Sequence, residues 1–201
     1  MMERAMRAED PPSTDRRAPE LDRATLVRCR AQDPIAFQVF VVRYERLVFA
    51  LLSQMLGHGP HVDDLAQETF LRAYLAFPRF DLDRARPSRW LITIATRLAL
   101  NEKRRRGPTG VEAPELAENA NPESESVRHE LGRAIERAIG QLSEDQRAVF
   151  VLAELHDMTL AEIAEALGIP ENTVKTRLFR AREHLRARLQ RPGRGGQHGS
   201  F

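Results

Sequence analysis

One segment, residues 142–189, constrains the fold of this chain more than any other. Within it, Thr159 and Glu162 form a capping-box signature at a helix start. Gly168 stands where a helix end favours a positive φ, and Pro170 stands at the next helix start, where its missing N–H costs little. The spacing therefore predicts two helices joined by a tight turn, a helix-turn-helix.

The second helix of this unit has two different faces. Its apolar residues repeat at helical spacing on one side: Val174, Leu178, Ala181 and Leu185. The opposite side carries residues that suit phosphates, base edges and a thymine methyl, namely Lys175, Thr176, Phe179 and Arg180. Residues 171–194 hold eight Lys/Arg and two Asp/Glu, a local charge of +6, whereas the whole chain is +2. The pattern favours duplex DNA binding over the alternative, a solvated basic helix that closes a small bundle.

Composition limits the class of protein. No stretch of the 201 residues alternates apolar and polar positions as a strand does, so we expect an all-α chain of two small helical domains. The single cysteine, Cys29, excludes an internal disulfide framework and fits a reducing compartment. No apolar run approaches the length of a membrane span, so we expect a cytoplasmic protein with no membrane insertion.

The first domain is predicted at residues 21–106. Its helices are expected at 21–31, 35–56, 62–77 and 88–106, separated by a break at Asp33-Pro34, a turn at 58–61 and a loop that begins at Pro78. The second domain is predicted at 127–191, and its first helix at 127–141. Isolated helices of these lengths are marginal in water, so each domain must pack its helices together.

Three segments have little to bury. Residues 1–20 mix four arginines with five acids, which indicates a disordered arm rather than a signal peptide. Residues 107–126 hold five glutamates and no basic residue, and they are predicted to form a flexible acidic linker. That linker is either an ordinary solvated tether or one whose negative charge occupies a groove otherwise used by nucleic acid. Residues 192–201 are predicted to be a disordered tail.

The last predicted helix of the first domain combines cations with an aromatic side chain. Arg89, Trp90 and Arg97 precede the basic run NEKRRR at 101–106. This combination suits a basic groove that holds the backbone of single-stranded nucleic acid while its bases stack on the aromatic ring. The alternative is a core tryptophan on a helix whose basic C-terminus is favoured by the macrodipole.

The third predicted helix carries a charged ridge. Asp64, Glu68 and Arg72 recur every fourth residue, and acids at this position also stabilise a helix N-terminus. Exposed adjacent acids do not converge on a pocket, so no catalytic residue is predicted. His58 and His61 beside Asp64 lack a full ligand set, and we expect no metal or other cofactor.

Four motifs together carry a family resemblance. They are DDLAQETFLRAY, RWLITIATRLALNEKRRR, LSEDQRAVFVLAEL and TLAEIAEALGIPENTVKTRLFRAREHLR. In this order and with these gaps they resemble a bacterial extracytoplasmic-function (ECF) sigma factor of the sigma-70 family, over about residues 21–189. The resemblance implies that 21–106 is sigma region 2 and 127–191 is sigma region 4. It implies a non-enzymatic subunit that directs core RNA polymerase to promoters.

The resemblance also implies a role for particular residues. Polymerase docking would use Asp64, Gln67, Glu68 and Arg72, while Leu65 and Phe70 would lie in the core. Recognition and melting of the minus-ten element would use Arg89, Trp90, Arg97, Asn101, Arg104 and Arg105. Reading of the minus-thirty-five duplex would use Asn172, Lys175, Thr176, Phe179 and Arg180. The implied partners are core RNA polymerase, through its β′ clamp and β subunits, promoter DNA and an anti-sigma factor.

The chain departs from the family pattern within the minus-ten helix. Relatives often have Arg-Asn where this chain has Thr96-Arg97, Asp where it has Asn101, and Tyr-Arg where it has Ile92-Thr93. A rival hypothesis is a free-standing repressor or activator that binds DNA as a dimer. Such a protein needs a dimer interface and makes no use of the DDLAQETF helix.

Overall fold

The computed structural model describes residues 20–106 and 127–189, and every regular element within these ranges is helical. The predicted linker at 107–126, the predicted tail and all of the predicted arm except Glu20 lie outside the described residues. The α-helices are α1 (Arg23–Arg30), α2 (Pro34–Leu56), α3 (Pro60–Ala76), α4 (Pro87–Arg106), α5 (Val127–Gly140), α6 (Glu144–Phe150), α7 (Leu160–Leu167) and α8 (Glu171–Leu189). The all-α prediction with two helical units is confirmed. None of these helices is long and apolar enough to cross a membrane.

The break at Asp33-Pro34 forms as expected. Asp33 caps α2, because its Oδ1 accepts hydrogen bonds from the backbone N–H groups of Ile35 (2.9 Å) and Ala36 (3.2 Å). Arg28 donates to the same carboxylate at 2.9 Å. This hydrogen bond and those from the backbone hold the pKa of Asp33 below its usual value.

Two boundaries differ from the prediction. The turn expected at 58–61 is shorter, because α3 already begins at Pro60, whose fixed φ suits the first turn of a helix. Residues Phe77–Arg79 form a 3₁₀ turn that continues α3, where a loop was expected from Pro78. Phe77 is fully buried in this turn, so packing of its ring accounts for the extra ordered residues.

The first unit, residues 20–106, is built around α2. This helix packs against α1, α3 and α4, and its buried face includes Phe40, Val48 and Leu51. Phe77 contacts several aromatic rings edge-on, including those of Phe40 at 5.1 Å and Trp90 at 5.3 Å between ring centroids. Such edge-to-face pairs stabilise a core beyond the area that they bury.

Glu20, the last residue assigned to the predicted arm, contacts the first unit. Its carboxylate accepts hydrogen bonds from the hydroxyls of Tyr44 in α2 and Ser88 in α4. Burial, together with this acidic partner, raises the pKa of the Tyr44 phenol well above its usual value. Glu20 therefore links α2 to the start of α4.

The second unit, residues 127–189, consists of α5–α8. The sequence repeats the capping-box spacing at Ser143 and Gln146, and this box forms at the start of α6. At its C-terminal end α6 passes into a π turn, Val151–Leu155, which ends before Asp157 at a positive φ of 50°. Sequence periodicity did not predict this turn, and π turns occur frequently at functional sites.

Candidate nucleic-acid interface

The connection between α7 and α8 is set by local hydrogen bonds. Thr159 and Glu162 form the predicted capping box, in which the Glu162 carboxylate accepts from the Thr159 N–H at 2.7 Å. Gly168 ends α7 in the left-handed conformation, with φ 67° and ψ 37°. Ile169 then donates its N–H to the Ala164 carbonyl at 3.1 Å. These contacts fix where α8 leaves the turn, as the sequence predicted.

The buried side of α8 holds it in the second unit. Val174, Leu178, Ala181 and Leu185 are buried, as predicted. Two arginines flank this stripe and were not singled out from the sequence: Arg177 pairs with Asp145 at 2.6 Å, and Arg182 donates to Glu154 at 2.9 Å. These ion pairs attach α8 to α6 and to the π turn that follows it.

The opposite side of α8 is open to solvent. All five predicted minus-thirty-five residues are exposed on it: Asn172, Lys175, Thr176, Phe179 and Arg180. Phe179 is 65% exposed, a large fraction for an aromatic ring. Within residues 20–106 and 127–189, neither Lys175 nor Arg180 forms an ion pair, in contrast to Arg177 and Arg182. The face therefore combines free cations and an exposed ring on a firmly held helix.

The predicted minus-ten residues lie along α4 but in different environments. Arg105 is exposed and pairs with Glu102 of the same helix at 3.0 Å, and Arg104 donates to the Asn101 side chain. Trp90 is half-buried, with its ring centroid 4.5 Å from that of Phe80. The packing of Trp90 agrees with the core alternative for most of its ring.

Arg89 and Arg97, by contrast, reach the second unit. Arg89 donates to the backbone carbonyls of His156 and Asp157, and Arg97 donates to the carbonyl of Glu165 at 3.4 Å. Sequence reasoning missed these partners, which lie 67 and 68 residues further along the chain. No local pattern signals a contact of this kind.

The charged ridge on α3 is present on the surface. Asp64, Gln67 and Arg72 are exposed, and Glu68 pairs with Arg72 at 2.7 Å. The neighbouring residues Leu65 and Phe70 are partly buried and buried, as the resemblance implied.

The same ridge has an apolar part that sequence reasoning missed. Leu71 and Leu75 are 53% and 64% exposed, and they follow Asp64 and Glu68 at helical spacing. Leu71 and Leu75 are four residues apart and lie on the same side of the helix as Asp64 and Glu68. This spacing is the signal in the sequence that could have identified the two leucines as part of the ridge.

The histidines near the start of α3 do not form a metal site with their neighbours. Among the residues that the structure describes, no group of three His, Cys, Asp or Glu side chains could hold a metal ion. Burial and the nearby Arg106 guanidinium lower the pKa of His61. The lowered pKa favours the neutral form of the His61 imidazole at the start of α3.

Two family models match the chain. Residues 40–109 match the model for sigma-70 region 2, and residues 132–185 match the model for sigma-70 region 4. The ECF RNA polymerase sigma factor SigW of Bacillus subtilis is 36% identical over 171 residues, which cover 79% of this chain and 91% of that protein. The ECF RNA polymerase sigma-E factor of Escherichia coli K12 is 35% identical over 182 residues, which cover 84% and 94%. The chain belongs to the ECF sigma factors of the sigma-70 family.

Solved structures agree with this membership. CnrH, determined in complex with the cytosolic domain of CnrY, is 28% identical, with a TM-score of 0.58 over 84% of this chain and 96% of that one. RpoE of Bartonella quintana, determined in complex with the anti-sigma factor NepR, shares the fold, with a TM-score of 0.62 at 22% identity over 77% and 96%. The family assignment made from the four motifs is confirmed, and with it the role of a sigma factor in transcription initiation.

Proposed function

We propose that this sigma factor holds a promoter at two places and RNA polymerase at a third. The surface of α8 reads the minus-thirty-five duplex, the surface of α4 captures the minus-ten strand, and the α3 ridge docks on the β′ clamp. The observation that carries the proposal is the difference between two pairs of basic residues on α8. Arg177 and Arg182 are engaged within the unit, whereas Lys175 and Arg180 stand exposed beside Phe179.

The chemistry of the α8 face suits the major groove. Lysine and arginine donate to guanine O6 and N7 or to phosphates, and an exposed ring or a threonine methyl packs on a thymine methyl. Asn172 and Thr176 add a side-chain amide and a hydroxyl near the start of the helix. The Thr176 hydroxyl donates to the Asn172 carbonyl at 2.9 Å, so this hydroxyl keeps its acceptor lone pairs for a base or a bridging water.

The α4 surface suits a strand that has left the duplex. Asn101, Arg104 and Arg105 offer an amide and two cations near the C-terminal end of the helix, and Arg89 and Arg97 lie one to three turns earlier. The partly exposed ring of Trp90 provides an apolar edge for an unstacked base. Flipping a base costs a few kcal/mol, which stacking and pocket contacts offset.

The polymerase-docking role rests on the α3 ridge. Asp64, Gln67 and Glu68 present acceptors to a partner, and the Arg72 guanidinium lies at the end of the charged row. Because Asp64 and Arg72 are exposed and Glu68 is only partly buried, reversing one of these charges tests docking without a large effect on the fold.

We assign no enzymatic activity to the chain, because nucleotide addition belongs to the polymerase with which it assembles. A subunit that acts on chromosomal promoters works in the cytoplasm. We also propose control by an anti-sigma factor that occludes polymerase-binding surfaces. The similarity to CnrH, which is known in complex with the cytosolic domain of another protein, supports a regulatory protein partner of this kind.

Alanine variants of Lys175 and Arg180 test the base-reading role. Each should weaken binding of holoenzyme to its promoter by roughly 1–3 kcal/mol and relax the preference at one position of the minus-thirty-five element. Arg188→Ala is the matched control, because it removes the same charge from the same helix at an angle well away from this face. Equal losses on all promoter sequences would assign Lys175 and Arg180 to phosphates instead.

A further inference from the structure

The segment that leads into α4 is held by two residues at the start of the first unit. Residues 80–86 form the loop before α4, and Asp83 of this loop pairs with Arg23 of α1 at 2.8 Å. Ser88, in the first turn of α4, donates its hydroxyl to the Glu20 carboxylate. The loop and the helix start are therefore attached to the α1 region at two separate points.

Glu20 is itself fixed to the core of the first unit. The second oxygen of its carboxylate accepts a hydrogen bond from the Tyr44 hydroxyl. The Tyr44 ring is buried in α2, with its centroid 4.7 Å from that of Phe40. The Tyr44 hydroxyl also accepts from the Leu21 N–H at 3.5 Å. The Glu20 carboxylate thus connects a buried ring of α2 to the first turn of α4.

The position of this carboxylate also suits the charge distribution of α4. The first N–H groups of a helix have no partner within it, and the positive end of the helix dipole lies there. The first turn of α4 contains no acidic residue of its own. Glu20 supplies that negative charge from 68 positions before Ser88. The turn that carries Arg89 and Trp90 is therefore stabilised from outside the helix.

The loop before α4 is ordered by its own hydrogen bonds as well. The Asp81 side chain accepts from the Asp83 N–H at 3.0 Å, and the Asp81 carbonyl accepts from the Arg84 N–H at 3.4 Å. Phe80, at the start of the loop, packs its ring against that of Trp90. The loop is thus held at its start and its centre, and Ser88 holds the helix that follows.

Two cations of this loop remain available. Arg84 and Arg86 are exposed, and within residues 20–106 and 127–189 neither forms an ion pair. They directly precede Arg89 and Trp90 of the proposed minus-ten surface, and free guanidinium groups suit the phosphates of a single strand. Where the loop is held therefore determines how these cations and the Trp90 edge are presented together.

We propose that Glu20 and Arg23 are positioning residues for strand capture. They hold the loop and the first turn of α4, and they place Trp90 and the loop cations for the minus-ten strand without contacting it. This inference rests on the proposed function of α4. The Arg23–Asp83 pair is 64% and 73% exposed, and such surface pairs contribute little by themselves. Glu20, with two hydroxyl donors, is the stronger of the two positioning residues.

Acrylamide quenching of fluorescence in the full chain tests the placement of Trp90, the only tryptophan. Glu20→Ala should raise the quenching constant, because the first turn of α4 loses its anchor. Glu20→Gln should stay near the parent value, since an amide can accept from Tyr44 and donate to Ser88. Arg28→Ala is the matched control, because it breaks an ion pair between α1 and the start of α2. Equal quenching in the parent and Glu20→Ala chains would overturn the proposal.

Selection of single strands by holoenzyme tests the consequence for capture. Core polymerase carrying the full chain binds 12-nucleotide single strands that are random at six positions, and the bound strands are sequenced against a background of core polymerase alone. The parent chain should enrich one class of sequence. Glu20→Ala should reduce this enrichment about three- to tenfold, the equivalent of one charge-assisted hydrogen bond at a partly exposed site. A purely structural defect would lower the amount of holoenzyme but not the sequence preference of the bound strands.

Two further variants make the selection decisive. Tyr44→Phe keeps the buried ring but removes the hydroxyl, and it should reduce the enrichment in the same direction as Glu20→Ala, whereas Arg28→Ala should not. Arg23→Ala should have a smaller effect than Glu20→Ala. Enrichment equal to the parent in both Glu20→Ala and Tyr44→Phe would overturn the positioning role and leave the minus-ten surface of α4 in place. No enrichment by the parent chain itself would overturn the minus-ten assignment and the positioning role with it.

Discussion

A substitution at Phe179 tests the contribution of α8 to promoter recognition separately from its contribution to folding. The residue is 65% exposed, and full burial of a phenylalanine is worth about 1.5–3 kcal/mol. About a third of that, roughly 0.5–1 kcal/mol, stabilises the fold, and the better helix propensity of alanine offsets part of it. Phe179→Ala should therefore change the free energy of unfolding, measured by urea denaturation of the full chain, by less than about 1 kcal/mol.

The other two-thirds of the ring is available for DNA. Its burial against a base or a thymine methyl would contribute about 1–2 kcal/mol, so promoter affinity of the holoenzyme should fall by about 5- to 30-fold. Leu189→Ala is the control, because Leu189 is 49% exposed on the same helix but lies beyond the predicted DNA contacts. Promoter binding measured by fluorescence anisotropy should not respond to the control. Unchanged affinity in Phe179→Ala, or a loss of more than about 2 kcal/mol in unfolding free energy, would refute this account of the ring.

Three further variants test the turn, a helix cap and the polymerase dock. Gly168→Ala should cost about 1–2 kcal/mol of unfolding free energy, since a Cβ there meets nothing within 4 Å and only the left-handed backbone is strained; Gly168→Asn should cost less, and equal costs in urea denaturation would contradict this. Asp33→Asn keeps the cap of α2 but removes the negative charge of the carboxylate. Arg28 is the main cause of the lowered pKa of Asp33. The difference in unfolding free energy between the parent and the variant should therefore shrink as pH falls from about 5 to about 2, through that lowered pKa. A difference that is constant with pH would show that the charge does not contribute. Glu68→Arg should weaken binding to core polymerase, whereas Glu45→Arg on α2 should not; equal affinities in a pull-down titration would remove α3 from the dock.

Local signals in the sequence predicted much of the fold. The breaks and caps at Asp33-Pro34, Ser143, Thr159 and Gly168 depend on residues within four positions of one another, and the structure forms each of them. The apolar periodicity of α8 likewise defined its buried side. Element boundaries shifted by one or two residues where proline or a buried ring extended a helical turn, as at Pro60 and in the turn Phe77–Arg79.

The features that the sequence did not predict depend on contacts between distant residues. The partners of Arg89 lie 67 and 68 positions away, and the π turn that precedes them leaves no periodic signal. Trp90 fits a core side chain or a stacking anchor equally well by pattern, and only its packing against Phe80 distinguishes the two. The contact between the two units therefore leaves no local signal in the sequence.

Transcription by reconstituted holoenzyme tests the central claim most directly. Core RNA polymerase, with and without this chain, is supplied with genomic DNA fragments, and the 5′ ends of the transcripts are mapped. The account predicts that the chain redirects initiation to a limited set of start sites that share two spaced upstream elements, and that Phe179→Ala reduces use of these sites. Start sites no more specific than those of core polymerase alone would contradict it.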